Sequence, residues 1–413
     1  MARPPAAQGR ASSGAPGAVR GLAIGMVALV VVACVTAQTP SGAPLVLGID
    51  WGHAASVERP TNYDATLPPG DQRKHPILRI PGQATMADVA ALPKGGFVSV
   101  GYVPPAWTPV AWTSTDGNTW SLHSLGDTGF TFPVAVATGA GGTVVAVGRS
   151  GPLPVAWTTT DGVSWQEQAV ATLGSGGVAE RMTSVVATDA GFLAGGSVGP
   201  ELFDRHARFW TSADGRTWRP VPDDPGAFAN AEVRAIARSG SGFVAVGVVG
   251  TAQQATAAVA WTSSDGTTWH RVDDPAFAGG VAVSVTTAPF GLVAVGSDVN
   301  RKEAVAWTSR DGRSWVKAPT EPSRLYAGFI WMTDVVTIGD TLLAVGEYQG
   351  LQRGTATSWI SHDGLHWQQA RTAPVQEQGE FYAVTAGGPG AITVGSFGAP
   401  DSYVPTVWLT PSR

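Results

Sequence analysis

Charge and cysteine are scarce in this chain. Asp, Glu, Lys and Arg make up 14% of its 413 residues, against about 25% in an average protein, and the net charge is -5. With only 4 lysines and no basic block, the chain lacks a surface that could track phosphates, so we expect no nucleic-acid partner. The single cysteine, Cys34, excludes a disulfide framework and leaves no thiol chemistry for the residues that follow it.

Several motifs that carry chemistry are also missing. The sequence has no GxGxxG after a predicted strand, no phosphate-binding P-loop, no HExxH and no GxSxG. The 7 histidines are scattered, and a metal site needs more ligands than His362 and His366 supply. We therefore expect neither a metal nor a cofactor.

The longest apolar stretch stands near the N-terminus. It runs from Gly21 to Ala37 and follows three arginines, which is the pattern of an export signal. A membrane-spanning helix needs about 20 residues, so this stretch is short for one. The string Val31–Cys34 resembles the bacterial lipobox, in which an aliphatic residue and then a small residue precede the cysteine that becomes lipidated.

The lipobox resemblance implies that Cys34 is the lipidated first residue of the mature protein. We predict a lipoprotein signal at 1–33, a tether and irregular lead-in at 34–76, and a folded domain at 77–413. The expected location is the cell envelope outside the cytoplasm, with the lipid holding the chain to a membrane. Cleavage after Ala37 is the alternative and predicts a secreted protein.

Tryptophan and glycine are abundant and periodic. There are 16 Trp and 53 Gly, and a unit first seen as AWTSTDGNTW, Ala111–Trp120, recurs along the chain. Further copies end at Trp165, Trp218, Trp269, Trp315 and Trp367, and a seventh begins at Val407. The first Trp residues of successive copies are 45 to 53 residues apart, a period typical of propeller blades. Because each repeat offers four short apolar runs, the sequence predicts an all-β, seven-bladed β-propeller of four-stranded blades.

Each complete copy has an Asp-Gly pair between its last two strands. Asp-Gly favours a type I′ turn, which pairs Ser114 with Thr119 and Thr113 with Trp120. In that register Trp112 and Trp120 point to opposite faces of the blade, each toward a different neighbouring blade. Both indoles of every copy are then expected in the core.

The six complete copies resemble the Asp-box of bacterial neuraminidases and other secreted propellers. The family form is Ser-x-Asp-x-Gly-x-Thr-Trp, and the copies here are one residue shorter between Asp and Trp. The resemblance implies that the box aspartates are structural and lie away from any ligand. They are Asp116, Asp161, Asp214, Asp265, Asp311 and Asp363.

The seventh copy lacks its last strand, and an unpaired edge invites aggregation. The segment Ile77–Ile80 stands before blade 1 where the other blades have their outer strand. We predict that this N-terminal strand pairs with the strand around Thr406–Leu409 and closes the ring.

The loops of a propeller divide between two faces, and the blade-to-blade connections share one face with the loops after each second strand. That face carries Trp107, Trp331 and Arg301-Lys302-Glu303. Trp107 and Trp331 lie outside the repeat positions and are candidates for stacking on a ligand.

A polar column at the start of the inner strands is expected to line the central channel: Asp88, Ser184, Arg234, Ser284 and Asp334. An arginine between carboxylates there would bind a small anion or sugar, or form a structural ion pair.

The Asp-boxes also suggest a comparison with sialidases. That family binds the substrate carboxylate with three arginines and uses a Tyr nucleophile paired with a Glu, and an Asp acid/base. The matching positions are Arg79, in a string similar to the family's Arg-Ile-Pro motif, Arg181, Arg234, Glu380 and Tyr382. The match is incomplete, because Arg79 stands too far upstream, no segment supplies the Asp, and sialidases have six blades.

We interpret the sequence as a monomeric propeller that binds a glycan, a peptide or an envelope protein through the loop-rich face without catalysis. A sialidase-like glycoside hydrolase and a structural envelope scaffold are the alternatives. An exposed aromatic patch at Trp107 or Trp331 would favour binding, and arginines gathered around Tyr382 would favour the enzyme. A plugged channel would favour the scaffold.

Overall fold

The computed structural model describes 51–60 and 82–410, except for gaps at 105, 127–128, 173–177, 200–204, 241, 252–253, 320–327, 350–353, 371–378, 388–389 and 399–403. Within these residues the chain forms seven sheets. Each contains four antiparallel strands paired in order from the channel outwards, and one sheet has a fifth, parallel strand on its outer edge. The sheets are the blades of a seven-bladed β-propeller, which confirms the predicted fold class.

The blades are numbered along the chain, and their strands are given from the inner to the outer. Blade 1 contains Thr85–Ala91, Phe97–Val103, Thr108–Ser114 and Thr119–Ser124; blade 2 contains Thr131–Thr138, Val144–Ser150, Leu153–Thr159 and Gln166–Ala169; blade 3 contains Glu180–Thr188, Gly191–Val198, His206–Ser212 and Arg219–Pro220. Blade 4 contains Ala231–Ser239, Gly242–Gly250, Ala255–Ser263 and His270–Val272; blade 5 contains Gly280–Ala288, Gly291–Asp298, Ala304–Ser309 and Val316–Lys317. Blade 6 contains Phe329–Ile338, Thr341–Gln349, Gly354–Ser361 and Gln368–Ala370; blade 7 contains Gly379–Gly387, Gly390–Phe397, Val404–Leu409 and, from the N-terminal part, Gly52–His53.

Every inner strand has a β-bulge at the same place. Its pairing with the second strand shifts between Met86 and Asp88 in blade 1 and between Phe381 and Ala383 in blade 7. The bulged residues of the seven blades are Ala87, Val134, Thr183, Arg234, Val283, Thr333 and Tyr382. A bulge leaves one residue out of the ladder and bends the strand, so it can redirect a side chain.

The six Asp-Gly turns share one hydrogen-bond pattern. In blade 1 the Asp116 carboxylate accepts from the backbone N–H groups of Asn118 and Thr119 at 2.8 and 2.9 Å, and the Ser114 hydroxyl accepts from the N–H of Gly117 at 2.8 Å. Gly117 has a φ of 77°, but Asp116 does not have the positive φ that a type I′ turn also requires there. The predicted turn type is wrong, because the carboxylate organises the loop instead of two left-handed residues.

This turn shifts the hairpin register by one residue. Trp112 pairs with Leu122 and Thr113 with Ser121, so Trp120, two residues before Leu122, lies on the same face of the blade as Trp112. Both indoles pack in the core between blades 7 and 1. The Trp pairs of blades 2 to 6 also pack toward the preceding blade. The predicted opposite orientation is therefore wrong.

The ring is closed from the N-terminal side, but not by the predicted segment. Gly52–His53 pairs antiparallel with Trp408 and Leu409 and supplies the outer strand of blade 7. Ile77–Ile80 lies outside the described residues, and the edge that it was expected to cover is already paired. Its predicted role as the closing strand is therefore wrong.

Trp51 takes the place of the second Trp in blade 7. The first Trp of blade 4, Trp261, pairs with Arg271, two positions after the second Trp of that blade. Trp408 pairs with His53, two positions after Trp51, so the register is the same. Trp51 is only 4% exposed and belongs to the core between blades 6 and 7.

The chain then crosses from blade 7 to blade 1. Ser56–Val57 runs parallel to the outer strand of blade 1 as a fifth strand, and the Glu58 carbonyl accepts a hydrogen bond from Nε1 of Trp112 at 2.9 Å. We call 51–60 the N-terminal strap. It joins the last blade to the first.

Two single-turn helices lie in the connections before blades 4 and 5. Pro225–Phe228 is capped by the Asp224 carboxylate, and the 3₁₀ turn Pro275–Phe277 is capped by Asp274. In the part of the chain that the structure describes, no helix is long and apolar enough to cross a membrane.

Candidate functional site

The inner strands begin at the loop-rich face, opposite the Asp-turn face that carries the Asp-Gly turns. Their first residues and the ends of the second strands surround one opening of the central channel, which we call the channel mouth. The inner-strand residues two positions before the bulge are Thr85, Phe132, Arg181, Glu232, Val281, Trp331 and Glu380. Their partners on the second strands are Tyr102, Arg149, Ser197, Val248, Ser297, Glu347 and Ser396.

Tyr382 and Glu380 are brought together on the inner strand of blade 7. The Tyr382 hydroxyl donates a hydrogen bond to the Glu380 carboxylate and accepts one from the Ser396 hydroxyl at 3.1 Å. Burial, and then the negative charge of Glu380, raise the pKa of Tyr382 above its ordinary value. The pair is therefore a protonated phenol that donates a hydrogen bond to a carboxylate.

Glu347, on blade 6, is a second carboxyl near this pair that the sequence analysis missed. It is 5% exposed, and burial and the charge of Glu380 raise its pKa to about 8, while Arg301 opposes the shift. A Cβ at Gly354 would lie 2.6 Å from its Oε1, so the carboxyl fills the space that this glycine leaves. Each second strand has a residue directly after its recurring Gly, and among the seven residues at this position Glu347 alone is acidic. A comparison of that position across the repeats would have identified it.

Blades 1 and 2 carry an aromatic cluster on the loop-rich face. The Trp107 ring lies 5.3 Å from Phe130 and 6.0 Å from Phe132, and Phe132 lies 5.2 Å from Tyr102. We call these four rings the aromatic platform. The Arg149 guanidinium lies 4.4 Å from the centre of the Phe132 ring and adds a cation beside it.

The platform is held in a strained and fixed backbone. Trp107 and Phe130 have φ values of 52° and 58°, in the left-handed region that costs a non-glycine residue roughly 1–2 kcal/mol. The N–H of Phe130 donates to the Ala106 carbonyl at 2.6 Å, and that of Thr131 donates to the Trp107 carbonyl at 3.0 Å. Phe130 is nonetheless 61% exposed, so a large apolar ring is presented to solvent at an energetic cost.

Trp331, the other predicted stacking residue, is also at the channel mouth. Its ring is covered by the Arg301 guanidinium, which lies 4.9 Å from the ring centre. Next to it, Nζ of Lys302 lies 4.2 Å from the centre of the Phe329 ring. Trp331 is therefore a cation–π partner within the protein rather than a bare platform.

Two of the predicted arginines, Arg181 and Arg234, are not on the blades that neighbour Tyr382. Arg181 and Arg234 lie on blades 3 and 4, three blades away from blade 7 around the ring. Nη2 of Arg234 is 3.4 Å from the Glu232 carboxylate, which also pairs with the buried Arg205. Arg79 lies outside the described residues, as does the proposed lipidation site, Cys34.

Arg234 does not belong to the polar column in which it was placed. It is the bulged residue of blade 4, whereas the other four members follow the bulge of their strands: Asp88, Ser184, Ser284 and Asp334. Arg234 therefore stands one position before that column along its strand, and it forms an ion pair, which is one of the two roles expected of it. Its charge is met by Glu232 on its own strand.

The two carboxyls of that column link neighbouring blades. Asp88 accepts from the N–H of Val136 in blade 2, and Asp334 accepts from the N–H of Val384 in blade 7, both at 2.8 Å. Burial, and then the charge of Asp334, raise the pKa of Asp88 to about 7. Burial likewise raises the pKa of Asp334. These groups are ties between inner strands, and no cluster of three metal-ligating side chains occurs among the described residues.

No protein-family model and no curated protein matches the chain. Solved structures similar to it include Trypanosoma rangeli sialidase as a mutant with trans-sialidase activity, at 12% identity, with 80% of this chain and 54% of that chain covered and a TM-score of 0.46. The complex of that sialidase with the inhibitor DANA matches at 11% identity, with 67% and 54% covered and a TM-score of 0.43. Sqt1 from Chaetomium thermophilum matches at 12% identity, with 76% and 79% covered and a TM-score of 0.46. The chain spans about half the length of the sialidase structures, and these likenesses concern the fold alone.

Proposed function

We propose that this protein is an exported, lipid-anchored propeller that binds a glycan on its loop-rich face. The aromatic platform is the observation that carries the proposal. The C–H face of a sugar ring stacks on flat aromatic surface, and polar groups beside that surface fix the hydroxyl groups. Phe130 supplies the exposed surface and the half-buried Trp107 ring packs beside it. Arg149 and the hydroxyl of Tyr102 supply polar groups next to these rings.

The strain in the platform supports binding over a purely structural role. Glycine at position 107 or 130 would adopt the same backbone without the steric cost. A scaffold gains nothing from an exposed Phe130 in that conformation, whereas a binding site gains a ring that is already in place.

The test is a glycan array probed with the full chain in detergent micelles, with retention and the mass of each glycan as readouts. Trp107→Ala and Phe130→Ala are expected to weaken retention by about tenfold or more, as loss of a stacking ring costs on the order of 1–3 kcal/mol. Phe290→Ala is the matched control, because Phe290 is a partly exposed aromatic residue on the Asp-turn face. An array without any retained glycan, or equal losses for all three variants, would contradict the proposal.

A sialidase-like hydrolase is the second candidate, and the hydrogen bond from Tyr382 to Glu380 favours it. In that reading the Tyr382 oxygen bonds to the anomeric carbon of the sugar while Glu380 accepts the phenol proton. The glycosidic bond breaks in the same step, and solvent water protonates the leaving oxygen. The expected signature is loss of mass from an arrayed glycan, abolished by Tyr382→Phe. If the glycans are retained unchanged in mass and Tyr382→Phe retains them as the parent does, the non-catalytic reading stands.

The lipid anchor is tested separately from glycan binding. Cys34→Ser is expected to move the protein from the membrane fraction to the soluble or secreted fraction, because the acylated thiol is removed. A variant that stays in the membrane fraction as the parent does would exclude anchoring through Cys34.

A further inference from the structure

One loop at the channel mouth presents two adjacent cations in a fixed shape. The Asp298 carboxylate accepts from the backbone N–H groups of Asn300 at 3.0 Å, of Lys302, and of Glu303 at 2.8 Å. Arg301, at the tip, has a φ of 55° and is therefore in the left-handed region. The loop thus resembles the aromatic platform in that a non-glycine residue is held in a costly conformation at its exposed tip.

The two cations rest on aromatic rings and not on carboxylates. The Arg301 guanidinium lies over Trp331 and the Lys302 ammonium over Phe329, and Nζ of Lys302 also donates to the Gly328 carbonyl at 3.3 Å. Within the ranges that the structure describes, no carboxylate oxygen lies within 4.0 Å of either cation. Both residues are exposed, so the cation–π contacts orient the charges and leave their outer sides open to a ligand.

The acidic side chains nearby, including Asp298 and Glu303 of the same loop, are less exposed than Arg301 and Lys302. Glu347 has a pKa of about 8 and is therefore mostly protonated at neutral pH. The Glu380 carboxylate already accepts a hydrogen bond from Tyr382. Arg301 and Lys302 therefore present the most exposed charges of this loop.

We propose that Arg301 and Lys302 bind acidic groups of a polyanionic glycan chain, one that carries carboxylate or sulfate on successive sugars. This inference rests on the proposed glycan binding and names the class of ligand. The cationic loop lies at the boundary of blades 5 and 6, and the aromatic platform lies at that of blades 1 and 2, three boundaries further around the ring. Packed sheets lie about 10 Å apart, so the two places are separated by more than one sugar unit and are joined by a chain rather than a single acid.

The experiment measures binding of the full chain in detergent to three probes at several salt concentrations. Polygalacturonate oligosaccharides carry carboxylate and dextran sulfate carries sulfate. Dextran is the neutral control for dextran sulfate. The double variant Arg301→Gln with Lys302→Gln is expected to lose about tenfold in affinity for the acidic probe that the parent prefers, and to show a shallower salt dependence. Arg310→Gln with Arg313→Gln removes the same charge from the exposed Asp-Gly turn of the same blade and is expected to bind as the parent does.

The outcomes separate this inference from the proposed function. Preference for polygalacturonate or for dextran sulfate identifies the acid as carboxylate or sulfate. If the parent binds dextran as well as the acidic probes, or both double variants lose equally, the inference is wrong. Glycan retention that still depends on Trp107 would then leave the proposed function standing, whereas no binding to any probe or arrayed glycan would overturn both.

Discussion

On the Asp-turn face, six blades repeat the same hydrogen bonds. Two backbone N–H groups donate to each Asp carboxylate, and Nε1 of each second Trp donates to a glycine carbonyl. On the loop-rich face, no two blades place the same pair of residues at the channel mouth. The repeated residues are those that the fold needs in every blade. The residues that vary from blade to blade are therefore where binding specificity is to be sought.

The largest expected effect is a difference in stability between substituting a Trp that recurs from blade to blade and substituting a Trp that does not. Trp261→Ala removes a fully buried indole that donates to the Ala227 carbonyl at 2.8 Å, and is expected to lower the free energy of unfolding by about 3–5 kcal/mol. Trp107→Ala, on the loop-rich face, is expected to change it by less than about 1 kcal/mol. Urea denaturation followed by circular dichroism measures both, and equal losses would break the distinction between the faces.

The second effect asks whether the strap is part of the repeated architecture. Trp51→Ala is expected to cost about 3 kcal/mol, because Trp51 is buried like a second Trp. It should also increase aggregation, because Gly52–His53 would detach more often from the strand at Trp408 and leave that edge unpaired. His53→Ala keeps the backbone pairing and is the control. It should change neither the free energy of unfolding nor the aggregation by much. A Trp51→Ala variant as stable and as monodisperse as the parent would show that blade 7 closes by other means.

The third effect is a pH dependence carried by the channel carboxyls. Asp88 keeps its proton up to about pH 7 in the folded state but loses it near pH 4 when unfolded, so stability should fall as pH rises from about 4 to 7, by on the order of 2 kcal/mol. Asp88→Ser should flatten this slope and retain the link to the next blade, because Ser184 makes the equivalent bond to the N–H of Ile236 at 3.1 Å. Thermal unfolding of both proteins across this range is the measurement, and an unchanged slope would exclude Asp88 as its source.

The smallest effect has the opposite sign and belongs to the Asp-turn face. Hydrogen bonds from the N–H of Ser164 and the hydroxyl of Thr159 lower the pKa of Asp161 to about 2, so its stabilisation is present above about pH 4 and is lost as pH falls through 2. Asp161→Ala is expected to cost about 1 kcal/mol at pH 7 and less at pH 2. The same cost at both pH values would show that the turn does not depend on the charged carboxylate.

The blade count was predictable from sequence because the marks of a blade are local. Asp, Gly and two Trp recur within ten residues in six copies, and the partial copy that begins at Val407 marks the seventh blade. The hairpin register was not predictable from the Asp-Gly pair, because the choice depends on whether Ser114 and Asp116 bond the loop N–H groups or the backbone adopts two left-handed residues. Both arrangements are compatible with the same short string.

Features assembled from distant segments were the ones that the sequence analysis missed. Trp51 has no Asp-Gly turn before it, so nothing local marks it as the missing Trp of blade 7. Glu347 gains its raised pKa from burial and from Glu380 on the next blade, which the sequence of its own strand does not contain. The pairing of Tyr382 with Glu380 was predictable, because the two residues are neighbours in the chain.

The strap makes the two ends of the described fold meet within blade 7, and this has a topological consequence. Thr410 follows the strand Val404–Leu409, and Trp51 precedes its partner strand Gly52–His53, both at the Asp-turn face. A short linker with the sequence of another blade's Asp-Gly turn would therefore join Thr410 to Trp51. New termini opened in a connection between two other blades would then give a circular permutant with every blade contiguous along its sequence. In the natural chain the ring is closed by the noncovalent pairing of Gly52–His53 with Trp408 and Leu409. Comparing the unfolding rates of the permutant and the natural chain would measure how much this pairing contributes to the kinetic barrier to opening the ring.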